Sequence, residues 1–570
     1  MPKILRRREV KGSVAGISPL LSRLYVGRGV VNADEVEHSI KNLLRPDSLK
    51  GLSKATSLLV ESVQNQLRIL IIGDFDADGA TSSVLMVHGL RSMGADHVDY
   101  LVPNRFEYGY GLTPEIVEVA RRKTPDVIVT VDNGISSIEG VEFAKSHGIR
   151  VLITDHHLPA KELPDADAIL NPNQGGCEFP SKNLAGVGVA FYLLSAVRAM
   201  LRTVGWFENH NEPNLADYLD LVALGTIADV VPMDYNNRVM VQEGIRRIRA
   251  GRLRPGLGEL LALSGTRIET VTSRDLAFSV APRLNAAGRL EDISLGIECL
   301  LTDDQNRARE LATRLDQLNV ERREIENEMK QQAIRSLGSL NLSLPANDEH
   351  EAVGICLFEN DWHQGVVGIV ASRIKDKWHR PVIAFAPASE VEMKGSARSI
   401  PGFHIRDALD AIAARNPGLV VKFGGHAMAA GLSLHPDNFD KFAEEFDLEA
   451  RRWLSKDDLQ QTVITDGNLI EEFNVTVARV VTQACPWGQG FPEPIFDDDF
   501  EILEQRIVAG RHLKLKLRPI DGVQSIDAIA FGQDRLVEGR HRRIAYRLDV
   551  NKYRGRESLQ LIVECLDIVE

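Results

Sequence analysis

Five short apolar runs, separated by helix-like stretches, occupy residues 67–172, and this alternation constrains the fold more than any other feature of the chain. The runs are LRILIIGD, DYLVPN, DVIVTVDNG, IRVLITDHH and DAILNP. Amphipathic segments lie between them, for example 114–123, which begins with proline, and 136–147. Strands that alternate with helices at this spacing predict an α/β fold with a doubly wound parallel sheet.

Three of these runs end in residues that can bind a metal ion. These residues are Asp74, Asp76 and Asp78 after the first run, Asp132 after the third, and Asp155, His156 and His157 after the fourth. A single aspartate at a strand end is often only the N-cap of the next helix. Ligands of open α/β sheets bind at the carboxyl ends of the strands, so three such endings predict one shared site. Asp229, in GTIADVVP, is a further candidate.

The DFDADG motif is compatible with two kinds of cation site. A calcium EF-hand loop also begins D-x-D-x-D-G, but it requires a bidentate Glu at its twelfth position. Counted from Asp74, that position is Leu85, and the segment before the motif has the pattern of a buried strand. Oxygen ligands with one or two imidazoles favour Mg²⁺ or Mn²⁺ instead, and this many carboxylates predict two ions. The predicted chemistry is metal-assisted hydrolysis of a phosphoester.

The remainder of the chain predicts three further parts. The polar stretch 303–337 carries a helical stripe of apolar residues and predicts a helix of roughly 50 Å, which either connects two lobes or packs inside one bundle. An α/β pattern then restarts, and the last hundred residues have the period-two runs of a small barrel of about five strands. The expected segments are 1–50 at the N-terminus, 51–300 for the first α/β domain, 301–340 for the connecting helix, 341–455 for the second α/β domain and 462–570 for the barrel.

Charge is distributed unevenly along the chain. The net charge of −13 argues weakly against a nucleic-acid partner, yet residues 506–556 contain 13 Lys or Arg against 5 Asp or Glu. This basic segment is either a solvated face or a surface that binds a polyanion. The five cysteines are scattered, and the chain has neither a signal-peptide pattern nor an apolar run of about 18 residues. We therefore expect a cytoplasmic protein with reduced thiols, no zinc site and no membrane span.

Several residues are candidates for phosphate binding. The glycine-rich VKFGGHAMAAG predicts a turn that opens a helix at His426, where backbone N–H groups suit a phosphate; an ordinary tight turn is the alternative. Arginine supplies bidentate contacts to phosphate, and the alternative for each one is a surface salt bridge. The candidates are Gly424, Gly425, His426, Ser396, Arg398 and Arg373 in the second α/β domain, and Arg105, Arg283 and Arg289 in the first.

The sequence also resembles a known family. DFDADGATS, VDNG, TDHH and GTIADVVP match, in this order, the four motifs of the DHH phosphoesterases. The chain most resembles their RecJ branch, the single-strand-specific 5′→3′ exonucleases, from about residue 50 to the C-terminus. Further matches are PNRFEYGYGL, APRLNAAGR, GSARS and KFGGHAMAAG, of which the last two belong to the family's DHHA1 domain. The resemblance makes metal ligands of Asp76, Asp78, Asp132, His156 and Asp229, with Asp74 and His157 supporting the metals or the attacking water.

The resemblance implies a function as well. It implies a Mn²⁺- or Mg²⁺-dependent exonuclease that acts on single-stranded DNA in recombination and repair, with a single-strand-binding protein and a helicase as partners. We expect a monomer, because the predicted fold needs no partner to complete it. Tyr110, and less directly Tyr108, would wedge or stack on bases, and the barrel would be an OB-fold with Tyr546 and Tyr553 as stacking residues. Two alternatives remain: a DHH phosphodiesterase for short oligonucleotides or cyclic dinucleotides, and an inactive DNA-binding scaffold. The basic barrel opposes the former, and retention of all five metal-ligand positions opposes the latter.

Overall fold

The computed structural model describes residues 3–102, 111–339, 352–469, 472–553, 556–566 and 568–569. The chain divides into two compact units. The first unit comprises Val10–Asn319 and Arg479–Glu493, and the second comprises Met1–Glu9, Val320–Ala478 and Pro494–Glu570. The chain therefore changes unit at four points, one of which falls inside a long helix.

The strands are numbered in chain order. They are β1 (Lys3–Arg7), β2 (Ile69–Gly73), β3 (Val98–Leu101), β4 (Val127–Val131), β5 (Arg150–Thr154), β6 (Ala168–Leu170), β7 (Ile355–Phe358), β8 (Val382–Pro387), β9 (Met393–Arg398), β10 (Lys422–Gly425), β11 (Ala429–Leu434), β12 (Thr462–Thr465), β13 (Phe496–Val508), β14 (His512–Pro519), β15 (Ile526–Phe531), β16 (His541–Tyr553), β17 (Arg556–Cys565) and β18 (Ile568–Val569).

The α-helices are numbered in the same way. They are α1 (Pro19–Val26), α2 (Leu52–Gln64), α3 (Ala77–Ser92), α4 (Pro114–Arg121), α5 (Ile138–Ser146), α6 (Gly186–Thr203), α7 (Leu219–Ala228), α8 (Tyr235–Arg249), α9 (Pro255–Leu263), α10 (Ser273–Asp275), α11 (Ala281–Leu290), α12 (Ser294–Leu301), α13 (Gln305–Ser339), α14 (Val367–Trp378), α15 (Ile405–Arg415), α16 (Phe439–Trp453) and α17 (Val475–Gln483). None of the described helices is long and apolar enough to cross a membrane.

The first unit is built on a five-stranded sheet. Its strand order is β3-β2-β4-β5-β6, and every pair is parallel. Alternate residues of the strands pack against α2, α3 and α6 on one face and against α4 and α5 on the other. Burial on both faces explains why the central strands are continuously apolar instead of alternating. The predicted doubly wound parallel sheet is confirmed.

A distant segment, Arg479–Glu493, completes the core of the first unit. Trp487 and Phe491 stack on each other with ring centroids 5.5 Å apart, and both lie near the ring of Tyr25. The Tyr25 hydroxyl donates to the carbonyl of Ala484 at 2.9 Å. The backbone carbonyl of Trp487 accepts a hydrogen bond from the Ser273 hydroxyl at 2.7 Å.

The second unit contains a mixed sheet and a barrel. The sheet has the order β10-β11-β9-β8-β7, in which only β7 and β8 are parallel. The strands β13-β14-β15-β17-β16 close into a barrel, and β1 lies between β12 and β18 in a small parallel sheet. Asp497, fully buried, forms ion pairs with Arg7 and Arg543 and so holds the N-terminus on the barrel. The predicted second α/β domain and five-stranded barrel are confirmed.

The predicted long helix is α13, of 35 residues. In its first half Asp316 pairs with Arg283 at 2.8 Å, within the first unit. In its second half Glu326 pairs with Arg322 and Arg373, within the second unit. The unit boundary falls between Asn319 and Val320, so the helix is shared by the two units and the expectation of a connecting helix is confirmed.

Candidate metal centre and DNA-binding residues

Two aspartates that follow β2 accept hydrogen bonds from backbone N–H groups of α3 and α6. Asp76 is the N-cap of α3, and its Oδ1 accepts hydrogen bonds from the N–H groups of Asp78 at 2.9 Å and Gly79 at 3.0 Å. Asp78 lies in the first turn of α3, and its carboxylate accepts from the N–H groups of Gly186 at 2.6 Å and Val187 at 3.0 Å. The N-terminus of α6 therefore fixes the carboxylate of Asp78, and the carboxylate of Asp76 caps the N-terminus of α3.

Asp132 follows β4 in a strained backbone conformation. Its φ is +62°, in the left-handed region that non-glycine residues rarely occupy. Its N–H donates to the carbonyl of Thr154 at 3.0 Å, at the end of the neighbouring strand β5. Gly186 packs so closely that a Cβ at that position would lie 2.6 Å from the Cβ of Asp132. The buried carboxylate can hold its position only because residue 186 has no side chain.

Asp155, at the end of β5, positions the two histidines. Its Oδ1 accepts from the N–H groups of His156 at 2.7 Å and His157 at 3.0 Å, and from Nδ1 of His157 at 2.8 Å. Burial disfavours the charged form of Asp155, but the hydrogen bond and charge of His157 outweigh it, so its pKa lies below the ordinary value. Burial likewise opposes the charged form of His157, but the hydrogen bond and charge of Asp155 prevail and raise its pKa. Asp155 thus serves as a support for His157, with its other oxygen accepting from the N–H of Ile135 at 2.9 Å.

Asp229 comes to the same place from the C-terminal end of α7. Nε2 of His156 lies 3.4 Å from Oδ2 of Asp229 and 3.1 Å from Oδ1 of Asp132. Val230, the next residue, has φ +61° and an exposed side chain. A β-branched residue with positive φ is a genuine outlier, and such strain clusters at functional sites.

The seven predicted catalytic and metal-binding residues lie together at the carboxyl edge of the sheet. They form three groups, and within each group the potential ligand atoms lie no more than 4.8 Å apart. The groups are Asp74, Asp76 and Asp132; Asp132, His156 and His157; and Asp78, His156 and Asp229. Asp132 and His156 each belong to two groups, and of these the Asp132 carboxylate has the chemistry to bridge neighbouring cations.

The electrostatics of this cluster fit divalent cations. Burial, followed by the charges of Asp78 and Asp76, raises the pKa of Asp132 well above its ordinary value. The same causes, in the same order, raise the pKa of Asp229. Carboxylates crowded in this way repel one another unless positive charge lies between them. Hard oxygen donors with one or two imidazoles are the ligand set that Mg²⁺ and Mn²⁺ take.

Four asparagines support the site, and the sequence analysis did not identify them. Nδ2 of Asn133 donates to the carbonyls of Ile72 at 3.1 Å and Val131 at 2.9 Å, which joins the ends of β2 and β4. Oδ1 of Asn285 accepts from the N–H of Ala77 at 2.8 Å. Nδ2 of Asn171 and of Asn173 donates to the backbone carbonyls of the histidine pair. The first two lie inside VDNG and APRLNAAGR, so the motifs themselves contained the signal.

The candidate DNA-binding residues of the first unit are only partly described. Arg105, Tyr108 and Tyr110 fall in 103–110, outside the described residues. Arg283 is buried and its Nε donates to Asp316 at 2.8 Å, as in the salt-bridge alternative. Arg289 lies half-buried on α11.

In the second unit the structure brings several candidates onto one sheet face. Ser396 and Arg398 lie on β9, and Nη1 of Arg398 donates to the Ser396 hydroxyl at 3.0 Å. Ser396 is paired with Gly431 of β11, which is paired with Gly424 of β10. The predicted helix at His426 is wrong, because Gly425 ends a strand and the chain returns as a hairpin, with the N–H of His426 donating to the carbonyl of Ala429. A glycine-rich row thus flanks Ser396.

Two further predictions in the second unit have different outcomes. Nε of Arg373 donates to Glu326 at 2.9 Å, so this arginine has a carboxylate partner. The interpretation of Tyr546 as a stacking residue is wrong, because the ring is fully buried in the barrel and its hydroxyl donates to Asp498 at 2.6 Å. The side chain of Tyr553 lies outside the described part of the chain.

Comparison with known proteins assigns the chain to a family. Family models match at residues 68–226 (DHH family, N-terminal domain), 351–452 (DHHA1 domain) and 466–565 (RecJ OB domain). The single-stranded-DNA-specific exonuclease RecJ of Haemophilus influenzae is 50% identical over 100% of both chains. The chain belongs to the RecJ family.

Solved RecJ structures share the fold. Crystal structures of RecJ from Thermus thermophilus in complex with Mn²⁺ and with Mg²⁺ superpose with TM-scores of 0.77 and 0.72. Each match covers 99% of this chain, with 79% and 78% of the other chain covered and 30% and 28% identity. The resemblance to RecJ drawn from the motifs is confirmed, as is the fold class of DHH domain, connecting helix, DHHA1 domain and OB barrel.

Proposed function

We propose that this chain is a metal-dependent exonuclease that hydrolyses the phosphodiester bonds of single-stranded DNA from the 5′ end. The observation that carries the proposal is the convergence of carboxylates and imidazoles from separate segments at one sheet edge, in a chain that matches a RecJ exonuclease over its full length. The cofactor is Mn²⁺ or Mg²⁺, the ions that the solved relatives contain.

The proposed ligands for two ions are Asp76, Asp78, Asp132, His156 and Asp229. Bound there, the cations would supply Lewis acidity that lowers the pKa of a water molecule and neutralises charge on the phosphate. Asp132 is placed to be shared, because it belongs to two of the three ligand groups. The strain at Asp132 and the adjacent Gly186 keep this carboxylate in a fixed position before any substrate arrives.

His157 and Asp74 have supporting roles in the proposal. The hydrogen bond to Asp155 uses Nδ1 of His157, which directs Nε2 to the opposite side of the ring. Burial opposes the charged form of His157, but the hydrogen bond and charge of Asp155 raise its pKa, which favours the protonated imidazole, the form that donates to a phosphate oxygen or a water. Asp74 lies within the group that contains Asp76 and Asp132, where it adds negative charge that favours cation binding.

We assign recognition of the 5′ end to Ser396 and Arg398. The Arg398 side chain is half-buried, and burial lowers its pKa. Among the residues that the structure describes, no carboxylate forms an ion pair with Arg398. A buried cation without a carboxylate is costly unless an anion pairs with it, and a terminal phosphate has the matching geometry. The neighbouring glycine row leaves room, since a Cβ at Gly424 would meet nothing within 4 Å.

We assign binding of the remaining strand to the barrel. On β14, Lys514 and Lys516 alternate with buried leucines and so lie on the outer surface. An aromatic ring at this surface is that of Phe531, at the end of the adjacent strand β15 and 58% exposed. Cationic side chains beside an exposed aromatic ring are typical of surfaces that bind single strands without sequence preference.

The finer features of the proposal come from the sequence analysis, and among them only the role and the partners are implied by family membership. They are a role in recombination and repair, a cytoplasmic location, a monomeric state, and cooperation with a single-strand-binding protein and a helicase. Arg289, Arg373, Gly425 and His426 stay predictions for DNA contact in this scheme, as do Arg105 and Tyr110.

A time course with labelled substrates tests the function. Single strands labelled at the 5′ or the 3′ end, a blunt duplex and oligonucleotides of graded length are incubated with Mn²⁺, Mg²⁺ or EDTA. We expect early release of labelled mononucleotide from the 5′-labelled single strand only, a resistant duplex, and no products in EDTA. Release from 3′ labels first, or equal cleavage of dinucleotides and long strands, would favour a different phosphodiesterase.

A further inference from the structure

Phe278 is an exposed aromatic residue that the mechanism above does not use. Its side chain is 75% exposed, whereas Leu276 and Val280 on either side are fully buried. These residues form a π-helical turn, Leu276–Val280, between α10 and α11. The turn has a local cause: Pro282 lacks the N–H that would bond the carbonyl of Phe278 in an α-helix. Single π-helical turns occur frequently at functional sites.

The turn is held rigidly in place. Arg283 donates from Nη1 to the carbonyl of Ser279 and from Nε to Asp316 of α13 at 2.8 Å. The buried Leu276 and Val280 belong to the main core of the first unit. The ring of Phe278 is therefore exposed on a rigid support, an arrangement that suits contact with a bound ligand.

The π-helical turn continues into α11, and α11 contacts the loop after β2 that contains Asp74 and Asp76, here called the metal loop. Oδ1 of Asn285 accepts from the N–H of Ala77, and a Cβ at Gly288 would lie 2.0 Å from the carbonyl oxygen of Phe75. The helix and the loop that contains Asp74 and Asp76 are therefore in direct contact.

Phe278 lies on the face of this helix that includes the metal-loop contact. Phe278, Pro282 and Asn285 have the spacing i, i+4 and i+7, which Arg289 continues at i+11, and all four keep exposed surface. Five of the seven residues that follow Phe278 as far as Asn285 lie in α11 at 1.5 Å each, and with the π-helical turn the separation along the helix is about 10 Å or slightly less. A stacked strand rises about 3.4 Å per nucleotide, so this distance corresponds to about three nucleotides.

We propose that Phe278 stacks on a nucleobase of the single strand, about three nucleotides from the bond that is cut. The proposal rests on the proposed function, because it takes single-stranded DNA as the ligand. A phenyl ring offers no hydrogen bond, so the contact accepts any base and suits an enzyme that moves along the strand. Arg283 acts on this contact as a positioning residue, because it holds the π-helical turn.

Abasic substitutions in the substrate test the stacking directly. Strands with one abasic residue at successive positions from the 5′ end are compared for wild type, Phe278→Ala and Phe278→Trp, with Leu263→Ala as a control at another exposed apolar side chain of the first unit. For wild type, we expect one position, about two to four nucleotides from the cleaved bond, at which an abasic residue lowers kcat/KM about tenfold. On the intact strand, the kcat/KM of Phe278→Ala should be about tenfold lower than that of wild type. An abasic residue at the sensitive position should not lower the kcat/KM of this variant any further. Phe278→Trp should restore the wild-type profile.

Binding of the same strands in EDTA separates this proposal from the function. If wild type binds single strands without cleaving them in any metal, the proposed function fails while the abasic profile of binding still measures the stacking. If the losses from Phe278→Ala and from the abasic residue multiply at every position, or if Phe278→Ala behaves like wild type, the stacking proposal is wrong. The thermal unfolding midpoint of Phe278→Ala should equal that of wild type, because the side chain is exposed.

Discussion

In the first unit the proposed metal ligands are buried or half-buried carboxylates and one imidazole, and backbone N–H groups hold two of the carboxylates, those of Asp76 and Asp78. In the second unit the proposed DNA contacts on the barrel are cations and a ring on an exposed strand face. Buried charge is costly, so it persists only where several partners define its position. Exposed charge is solvated by water, so many arrangements are tolerated. The first region should therefore determine the chemistry and the second the affinity.

The largest effect is expected at Asp132. Asp132→Ala should lower kcat by on the order of 10⁴-fold, because two ligand groups lose a member at once. Binding of single strands in EDTA should stay within about twofold of wild type, because the proposed contacts on the second unit are unchanged. The measurements are single-turnover cleavage and fluorescence anisotropy, with Asp99→Ala as a control at an exposed aspartate of the same sheet. Equal losses of binding and cleavage would break the division between the two regions.

Gly186→Ala tests the support of the same carboxylate. The added Cβ would lie 2.6 Å from the Cβ of Asp132, so we expect the carboxylate to shift and kcat to fall on the order of 100-fold. The Mn²⁺ affinity, measured by calorimetry, should fall as well. Gly258→Ala on α9, where a Cβ has room, is the matched control and should be neutral. Activity close to wild type for Gly186→Ala would show that the strained position of Asp132 is not required.

Arg398→Ala probes the second unit at its half-buried candidate for end recognition. We expect kcat/KM on 5′-phosphorylated strands to fall by about ten- to a hundredfold, the value of a hydrogen bond to a charged group, and to change much less on 5′-hydroxyl strands. The comparison is wild type and variant on both substrates, with Arg452→Ala, which removes an arginine of the same unit that is paired with Glu449 and has no assigned role in DNA binding, as the control. The end-recognition role fails if both substrates lose the same factor.

The smallest effect is expected on the barrel. Lys516→Ala should weaken binding of long single strands several-fold and reduce the slope of log affinity against log salt by about one, as for the loss of one phosphate contact. Cleavage of oligonucleotides too short to reach the barrel should not change. Lys441→Ala, on the exposed face of α16, is the control. An unchanged salt slope would place the strand on another surface of the protein.

Much of the first unit could be predicted from the sequence. Apolar runs that end in Asp or His became β2, β4 and β5 with their ligands at one edge, because parallel strands all point the same way and their carboxyl ends must meet. The long helix was predicted within two residues at each end, because an apolar stripe without Gly or Pro leaves few alternatives. The role of Asp155 was less clear, since a carboxylate that binds a metal and one that orients a histidine have the same local sequence.

What only the tertiary structure decided concerns partners that are far apart in the chain. Trp487 and Phe491 follow the second α/β domain in sequence but pack against Tyr25 in the first unit. Tyr546 belongs to a strand of alternating residues, and closure of the barrel, not its own neighbours, turned its ring inward. Periodicity tells which residues share a face, but which face is buried depends on the strand or helix that covers it. The sequence therefore determined the strands of the first sheet, the long helix and the cluster of candidate metal ligands, whereas the pairing of distant segments decided which side chains reach solvent.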